Sequence, residues 1–353
     1  MRELKFFQAI NEAMDLSMAA DPAVYTIGLG VPDPKSIFGS TKGLLEKYGP
    51  ERVLDMPASE NGMTGVAIGS ALVGMKPVMT HQRLDFALLS LDQIVNQAAK
   101  WHYMFGGQQN VPLVIRMIVG RGWGQGPQHS QSLQSWFAHI PGLKVVVPAT
   151  PDDAKGLLIS SIEDGNPVIF LEHRWLYNTF GPVPEGMYRT PLGRARVRRT
   201  GSDVTIVGVS YAVLESLRAA EILTDLGVDA EVIDVCTVSP LDCETLLASV
   251  RKTGRLLVAD TGWSSCGVTA EVIASMAERG YGMLKAAPRR VTPPPCPTPT
   301  TPALSRYFYP GPHELAMAVC EMLEVPTDSL AAAPLDLPRT PPDIPDPSFT
   351  GPF

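Results

Sequence analysis

Short apolar runs rich in β-branched residues alternate with stretches of helical periodicity along most of this 353-residue chain. The runs suit buried parallel strands, and they cover residues 23–28, 76–80, 111–119, 143–148 and 167–171. The helical stretches cover residues 62–74, 84–104, 130–139 and 151–163. Because parallel strands need crossover connections, usually helices, this alternation predicts a doubly wound α/β layer.

A second α/β unit follows a break in the pattern. Residues 174–202 lose periodicity and contain the turn-rich segment 181–186, so we predict a crossover linker there. Strands are then predicted at 204–209, 230–235 and 255–259, and helices at 211–226, 241–253, 268–279 and 313–323. We therefore predict two doubly wound α/β domains, residues 1–190 and 191–325, with the boundary near Thr190.

Residues 326–353 form a Pro-rich tail, for which we predict extended, polyproline-like conformations. Two interpretations stay open. The tail is a disordered segment, or it drapes over a partner subunit through its apolar residues, which are Leu335, Leu337, Ile344, Phe349 and Phe353.

Charge and cysteine usage narrow the class of protein. A net charge of −7 and a pI near 5.4 argue against nucleic acid or an anionic membrane as the main partner. No apolar run reaches the roughly 18–20 residues that span a bilayer, and the first residues do not resemble a secretory signal. The five cysteines are scattered and form no C-x-x-C pair, so we expect reduced thiols in a cytoplasmic enzyme.

Two short segments carry the chemistry. Residues 59–65 place the carboxylate of Glu60 at a strand-to-helix junction, where Gly62 and Gly65 let another group approach the backbone. Residues 127–132 place the imidazole of His129 in a polar loop, a usual setting for a residue that handles protons. Taken alone, a glutamate near a helix start is more often a residue of the N-terminal turn.

With six further segments these two occur in a characteristic order, and the chain from about Lys5 to about Leu323 resembles a known family. It is similar to the beta subunits of thiamine-diphosphate-dependent 2-oxo acid dehydrogenases of the pyruvate dehydrogenase type. Those subunits combine a transketolase-like pyrimidine-binding domain with a transketolase C-terminal domain. The segments that carry the resemblance are 41–49, 59–65, 92–100, 103–107, 128–131, 139–145, 166–172 and 238–242.

The resemblance implies roles for four residues. Glu60 would hydrogen-bond the aminopyrimidine ring nitrogen of thiamine diphosphate, which drives ionisation of the cofactor. Phe86 would stack on that ring, although a phenylalanine at helical spacing is usually a core residue. Ala58 falls among the cofactor-binding positions, and His129 would lie beside the reacting carbons of the substrate.

The resemblance also implies ions and a partner. Asp164 and Asn166 match a loop that binds a structural potassium ion, but Asp-Gly-Asn is also strong turn chemistry, and both interpretations stay open. The family holds Mg²⁺ through a Gly-Asp-Gly motif, which this chain lacks. We therefore expect a separate alpha subunit to supply the Mg²⁺ ligands, in an α2β2 heterotetramer whose active site lies between the subunits.

The chain departs from its family at His81, Gln82 and Arg83, where ordinary members have an apolar stretch. The triplet is either drift in a solvated loop or part of a polar pocket for an oxygen-rich acceptor. We therefore predict decarboxylation of a 2-oxo acid, most simply pyruvate, and transfer of the two-carbon unit to an acceptor such as a keto sugar. The alternatives are transfer to a lipoyl domain, as in a conventional dehydrogenase, or a non-catalytic subunit, which retained Glu60, Phe86 and His129 argue against.

Overall fold

The computed structural model describes residues 2–120 and 124–326. Its strands are β1 (Arg2–Lys5), β2 (Val24–Ile27), β3 (Val53–Leu54), β4 (Lys76–His81), β5 (Val114–Val119), β6 (Lys144–Val146), β7 (Val168–His173), β8 (Phe180–Val183), β9 (Arg196–Arg199), β10 (Val204–Gly208), β11 (Ala230–Asp234), β12 (Thr237–Ser239), β13 (Leu256–Ala259) and β14 (Arg289–Val291).

The helices are α1 (Phe6–Ala20), α2 (Leu44–Tyr48), α3 (Glu60–Leu72), α4 (Leu84–Ala87), α5 (Ala99–Met104), α6 (Gln134–Ala138), α7 (Pro151–Glu163), α8 (Tyr211–Asp225), α9 (Cys243–Thr253), α10 (Val268–Arg279), α11 (Pro302–Ser305) and α12 (Pro312–Leu323). Three short 3₁₀ helices and one π-helical turn complete the described part, at Ile37–Gly39, Leu88–Ser90, Arg174–Leu176 and Gln93–Ala98.

The chain divides into two compact units. Of the described residues, 2–120 and 136–192 form the first unit, and 124–135 and 193–326 form the second. The segment that contains His129 therefore groups with the second unit although it precedes α6 in sequence. This grouping cannot be predicted from hydrophobic periodicity, because residues 124–133 have no regular secondary structure and therefore no repeating pattern.

The first unit is built on a parallel sheet in the order β6-β7-β5-β4-β2-β3. All residues of β5 and β7 are buried, as expected for strands covered by helices on both faces. Helices α1 and α7 pack against each other, and α1 buries Phe6, Ile10 and Met14 on one stripe. The order in which strands are added reverses at β2, since β3 pairs with one side of β2 and β4 pairs with the other.

The second unit has a five-stranded sheet in the order β14-β13-β10-β11-β9. Strands β10, β11, β13 and β14 are parallel, and the edge strand β9 is antiparallel. Apolar residues of α8 and α12, among them Leu223, Leu315 and Val319, form one core with β10 and β11. The doubly wound α/β prediction is thus confirmed for both halves of the chain.

Residues 174–202, predicted as a crossover linker, contain the boundary between the two units but also hold β8, which pairs antiparallel with β1, and β9. The charged sequence of β9, Arg-Val-Arg-Arg, suits an exposed sheet edge, but it lacks the apolar run from which a strand is predicted.

The helix predicted at 84–104 has the predicted bounds, but a 3₁₀ turn and a π-helical turn lie between α4 and α5. Leu84, Ala87 and Ser90 are buried at a spacing of three residues, which favours the tighter 3₁₀ turn.

The Pro-rich tail lies outside the described residues, except for Pro326. In the described part of the chain, none of the helices combines the length and the apolar character needed to traverse a lipid bilayer.

Candidate active site

Glu60 is the first residue of α3, and its backbone is held by the side chain of Thr64 one helical turn later. The buried Thr64 hydroxyl donates to the backbone carbonyl of Glu60 at 2.7 Å and lies 3.5 Å from the sulfur of Met79 in β4. The first turn of α3 therefore lies against the carboxyl-terminal half of β4. The Glu60 side chain is half-buried, and a carboxylate at a helix N-terminus is stabilised by the helix dipole.

Polar side chains tie together the carboxyl ends of three strands. Gln82, directly after β4, donates from Nε2 to the Leu29 carbonyl at 3.0 Å, and Leu29 lies just beyond β2. Arg83 is buried and donates to the carbonyl of Gly120, which follows β5, at 3.2 Å. The point where strand order reverses, between β2 and β4, is where open α/β sheets bind ligands. The triplet His81, Gln82 and Arg83 thus lies at that edge.

His81 is neutral at this edge. The residue is 2% exposed, and its Nε2 has no hydrogen-bond partner within the described residues. Burial lowers the pKa of His81 to about 4, because the charged imidazolium would lose its solvation. The positive charge of the triplet at pH 7 therefore belongs to Arg83 alone.

A buried ion pair joins the neighbouring strands β5 and β7 of the same sheet. Arg116 of β5 donates from Nε to Glu172 of β7 at 2.6 Å, and its second guanidinium nitrogen donates to the other carboxylate oxygen at 3.0 Å. Tyr177 donates to the same carboxylate at 2.6 Å. Burial, and then the Glu172 charge, raises the pKa of Tyr177 well above its usual range, so the phenol stays a donor.

Phe86 and Ala58 are the other two residues that the resemblance assigns to the cofactor. Phe86 lies on α4, is half-buried and donates its backbone N–H to the Arg83 carbonyl at 3.2 Å. Ala58 is exposed, two residues before α3. A half-buried carboxylate and a half-buried aromatic ring on elements that leave the same sheet edge suit an aminopyrimidine, which needs a hydrogen-bond acceptor and a stacking surface.

His129 belongs to the second unit and is half-buried in a loop of irregular structure. The loop is held on the second unit by side chains that follow it. Ser132 accepts a hydrogen bond from the Thr261 hydroxyl at 3.2 Å, and Gln134 donates to the Asp260 carboxylate at 2.6 Å. Sequence reasoning missed Asp260, although a lone aspartate directly after the apolar run 255–259 is a signal that could have found it.

Asp164 and Asn166 lie elsewhere in the first unit. They precede β7 and therefore lie at the amino edge of the sheet, opposite the edge that holds Glu60. Lys144 forms an ion pair with Oδ2 of Asp164, and Oδ1 is buried without a hydrogen-bond partner in the described chain. Gly165 between them has φ of 81°, as a tight turn requires.

The chain thus combines a parallel α/β layer that has polar groups at its switch point with a second α/β domain. Residues 2–179 match the family model "Transketolase, pyrimidine binding domain", and residues 193–315 match "Transketolase, C-terminal domain". A solved structure titled "Split gene transketolase, inactive beta4 tetramer" superposes with a TM-score of 0.73 at 22% identity. It covers 91% of this chain and 99% of that one.

Curated relatives give a closer comparison. The chain is 45% identical over 327 residues to acetoin:2,6-dichlorophenolindophenol oxidoreductase subunit beta of Cupriavidus necator, covering 90% of this chain and 96% of the relative. It is 42% identical over 321 residues to the mitochondrial pyruvate dehydrogenase E1 component subunit beta-1 of Arabidopsis thaliana, covering 90% and 88%. The chain belongs to this family of transketolase-type beta subunits.

Proposed function

We propose that the chain is the beta subunit of a thiamine-diphosphate-dependent enzyme that decarboxylates a 2-oxo acid, such as pyruvate, and transfers the two-carbon unit to an acceptor. The observation that carries the proposal is Glu60 at the start of α3, held against β4 at the switch point. The relatives named as pyruvate dehydrogenase and acetoin oxidoreductase beta subunits support it.

Thiamine diphosphate, when bound, supplies a carbon nucleophile that opens a bond beside a ketone carbonyl. The residues of this chain would prepare that chemistry. Glu60 would accept a hydrogen bond from the protonated ring nitrogen of the pyrimidine, and Phe86 would offer its ring face. Neutral His81 can exchange a hydrogen bond without adding charge, whereas the Arg83 guanidinium suits phosphate or carboxylate oxygens of an acceptor.

An exposed face of α3 supports the presence of a partner subunit. Gly62, Gly65 and Gly69 share this face with Val66 and Val73, which are 55% and 81% exposed. A Cβ atom at Gly69 would meet nothing within 4 Å, so the described chain itself does not require glycine there. Glycine inside a helix costs about 1 kcal/mol relative to alanine. A helix of another chain that approaches this backbone closely would explain it.

We propose that this partner is an alpha subunit in an α2β2 heterotetramer, because the sequence lacks the Gly-Asp-Gly motif for Mg²⁺. The Mg²⁺ ligands would then come from the alpha subunit. A potassium ion in the first unit would take Oδ1 of Asp164 and the side chain of Asn166. A cytoplasmic location stays a prediction from the cysteine pattern.

The acceptor has two candidate identities. The acetoin oxidoreductase relatives are named for the oxidation of acetoin with a dye as electron acceptor, so acetoin is a second candidate source of the two-carbon unit. The pyruvate dehydrogenase E1 relatives favour the second candidate function, transfer to a lipoyl domain. The polar edge with Gln82 and Arg83 suits an oxygen-rich carbonyl acceptor better than a lipoyl arm.

The test is to co-express the chain with an alpha-type partner and to follow 2,6-dichlorophenolindophenol reduction with pyruvate and with acetoin. Products formed with added aldehydes, keto sugars or a lipoyl domain are identified by mass spectrometry. Calorimetry should show tight, Mg²⁺-dependent binding of thiamine diphosphate to the complex and weak or no binding to the chain alone. Tight binding by the chain alone would contradict the two-subunit site.

A further inference from the structure

The loop that carries His129 is held on the second unit at both ends. At its start, Gly126 has φ of 73°, and a Cβ atom there would lie 2.6 Å from the Thr300 hydroxyl. At its end, the Thr261 hydroxyl donates to Ser132, and Gln134 donates to Asp260. The residues between these two ends have no regular secondary structure, so the packing at Gly126 and the hydrogen bonds at Ser132 and Gln134 constrain the backbone on either side of His129.

The Asp260 carboxyl is the centre of the second anchor. It is 3% exposed and lies in the turn between β13 and α10. The Gln134 amide donates to it at 2.6 Å, and the backbone N–H groups of Thr261 and Gly262 donate to it as well. Gly262 has to be glycine for this contact, because a Cβ atom would lie 2.9 Å from Nε2 of Gln134 and 3.1 Å from the Ser132 carbonyl.

We propose that Asp260 and Gln134 form a positioning pair, which holds the loop from Gly126 to Gln134 in one conformation and so fixes where His129 can act. The pair touches neither substrate nor cofactor in this proposal and works through His129. Its catalytic consequence rests on the proposed function, whereas its effect on the loop does not.

The pair is sensitive to protonation. Burial raises the pKa of Asp260 to about 7, while the hydrogen bonds from Gly262, Thr261 and Gln134 favour the ionised form. In the described part of the chain, the groups that act on this carboxyl carry no charge. All three donors bind a carboxylate better than a carboxylic acid, so the hydrogen bonds favour ionisation, whereas burial, which is the larger effect, favours the protonated form.

The first experiment measures amide hydrogen exchange in the full chain, which needs neither cofactor nor partner. Gln134→Leu removes the donor and should lower the protection of peptides covering 124–134 about tenfold at pH 8. Helix α10 and the first unit should keep their protection. The control is Thr253→Val, which removes a buried 2.8 Å contact with Thr205 in the same unit and should leave the loop unchanged.

A charge series separates positioning from general damage. Gln134→Glu places a second carboxyl against Asp260, so loop protection, corrected for intrinsic exchange rates, should be lost at pH 8 and regained at pH 6 when the pair shares a proton. Combining it with Asp260→Asn should restore protection at pH 8, because the asparagine amide donates to the new carboxylate. Equal protection of 124–134 in all these variants and the wild type would overturn the proposal.

The second experiment tests whether the pair acts through His129 in the assembled enzyme. Gln134→Leu should lower kcat about tenfold in the wild-type background and have little further effect when His129 is already glutamine. Additive losses would show that Gln134 acts independently of His129 and would overturn the catalytic part. If the enzyme had neither pyruvate nor acetoin activity, the proposed function would fail while the exchange results would still decide the loop.

Discussion

The side chain of Gln82 donates a 3.0 Å hydrogen bond to the backbone carbonyl of Leu29, and so joins the carboxyl ends of β4 and β2 across the switch point of the first sheet. Arg83 makes the corresponding bond to Gly120 beyond β5. Gln82 and Arg83 therefore hold strand ends together. A substitution at either position removes a polar group from the edge together with the hydrogen bond that this group makes.

The first prediction separates those two effects. Arg83→Thr combined with Gln82→Met should leave pyruvate-dependent dye reduction nearly unchanged and raise the KM for the natural acceptor at least about tenfold. The reason is that a guanidinium fork binds acceptor oxygens, whereas Glu60 remains in place. Gln82→Met alone is the control for the lost bond to Leu29. Equal losses in both half-reactions would assign the two residues to support of the edge.

His81 should make the fold sensitive to acid. Its folded-state pKa of about 4 lies below the unfolded value near 6.5, so its stabilising contribution is present above pH 6.5 and is lost as pH falls towards 4. Relative to His81→Phe, the wild-type free energy of unfolding should drop by up to about 3 kcal/mol across that window. Urea titrations from pH 4 to 7 measure this, with His102→Gln, at an exposed site, as the control.

Removing one member of the buried ion pair should be costly. Arg116→Met leaves the Glu172 carboxylate fully buried without its bidentate partner, and we expect a loss of about 3–5 kcal/mol in unfolding free energy. Substituting Glu172→Leu as well should recover part of it. The exposed pair Lys47–Asp15 gives the comparison, since solvent screens its charges and Lys47→Met should cost much less than Arg116→Met. Similar losses at the two sites would contradict the burial argument.

The glycine face of α3 predicts opposite effects of two substitutions. Gly69→Ala should stabilise the isolated chain by about 0.5–1 kcal/mol, because alanine favours the helix and no described atom lies near its Cβ. Gly69→Phe should weaken assembly with the alpha subunit at least about tenfold, measured by analytical ultracentrifugation. Glu221→Phe, at an exposed position of α8, is the matched control. Unchanged assembly with phenylalanine at position 69 would place the partner elsewhere.

Much of the fold could be predicted from the sequence, because buried parallel strands consist of runs of apolar residues. Strands β4, β5, β7, β10 and β13 lie within two residues of the predicted bounds at each end, apart from the start of β5. The edge strands escaped prediction because β1, β8 and β9 are short or charged and face solvent on one side. Their pairing depends on distant segments, which periodicity does not encode.

The candidate site, like the fold, was only partly predicted from the sequence. Glu60 and the triplet at 81–83 were predicted from the resemblance to a family, and in the structure they lie beside recognisable elements at one sheet edge. Asp260 and Gln134 were missed because their meeting brings together residues 126 positions apart in sequence. The neutrality of His81 also depends on burial that only the packed structure shows. The roles of Phe86, Ala58, Asp164 and Asn166 stay predictions.

The central claim is that Glu60 is the carboxylate that activates the cofactor. The most direct measurement is the rate of pyruvate or acetoin consumption by the complex carrying Glu60→Gln, at saturating thiamine diphosphate and Mg²⁺. The account predicts a loss of about 10²–10⁴-fold, with unfolding free energy nearly unchanged and with Glu51→Gln, at an exposed site, fully active. A Glu60→Gln enzyme that turns over at close to the wild-type rate would contradict it.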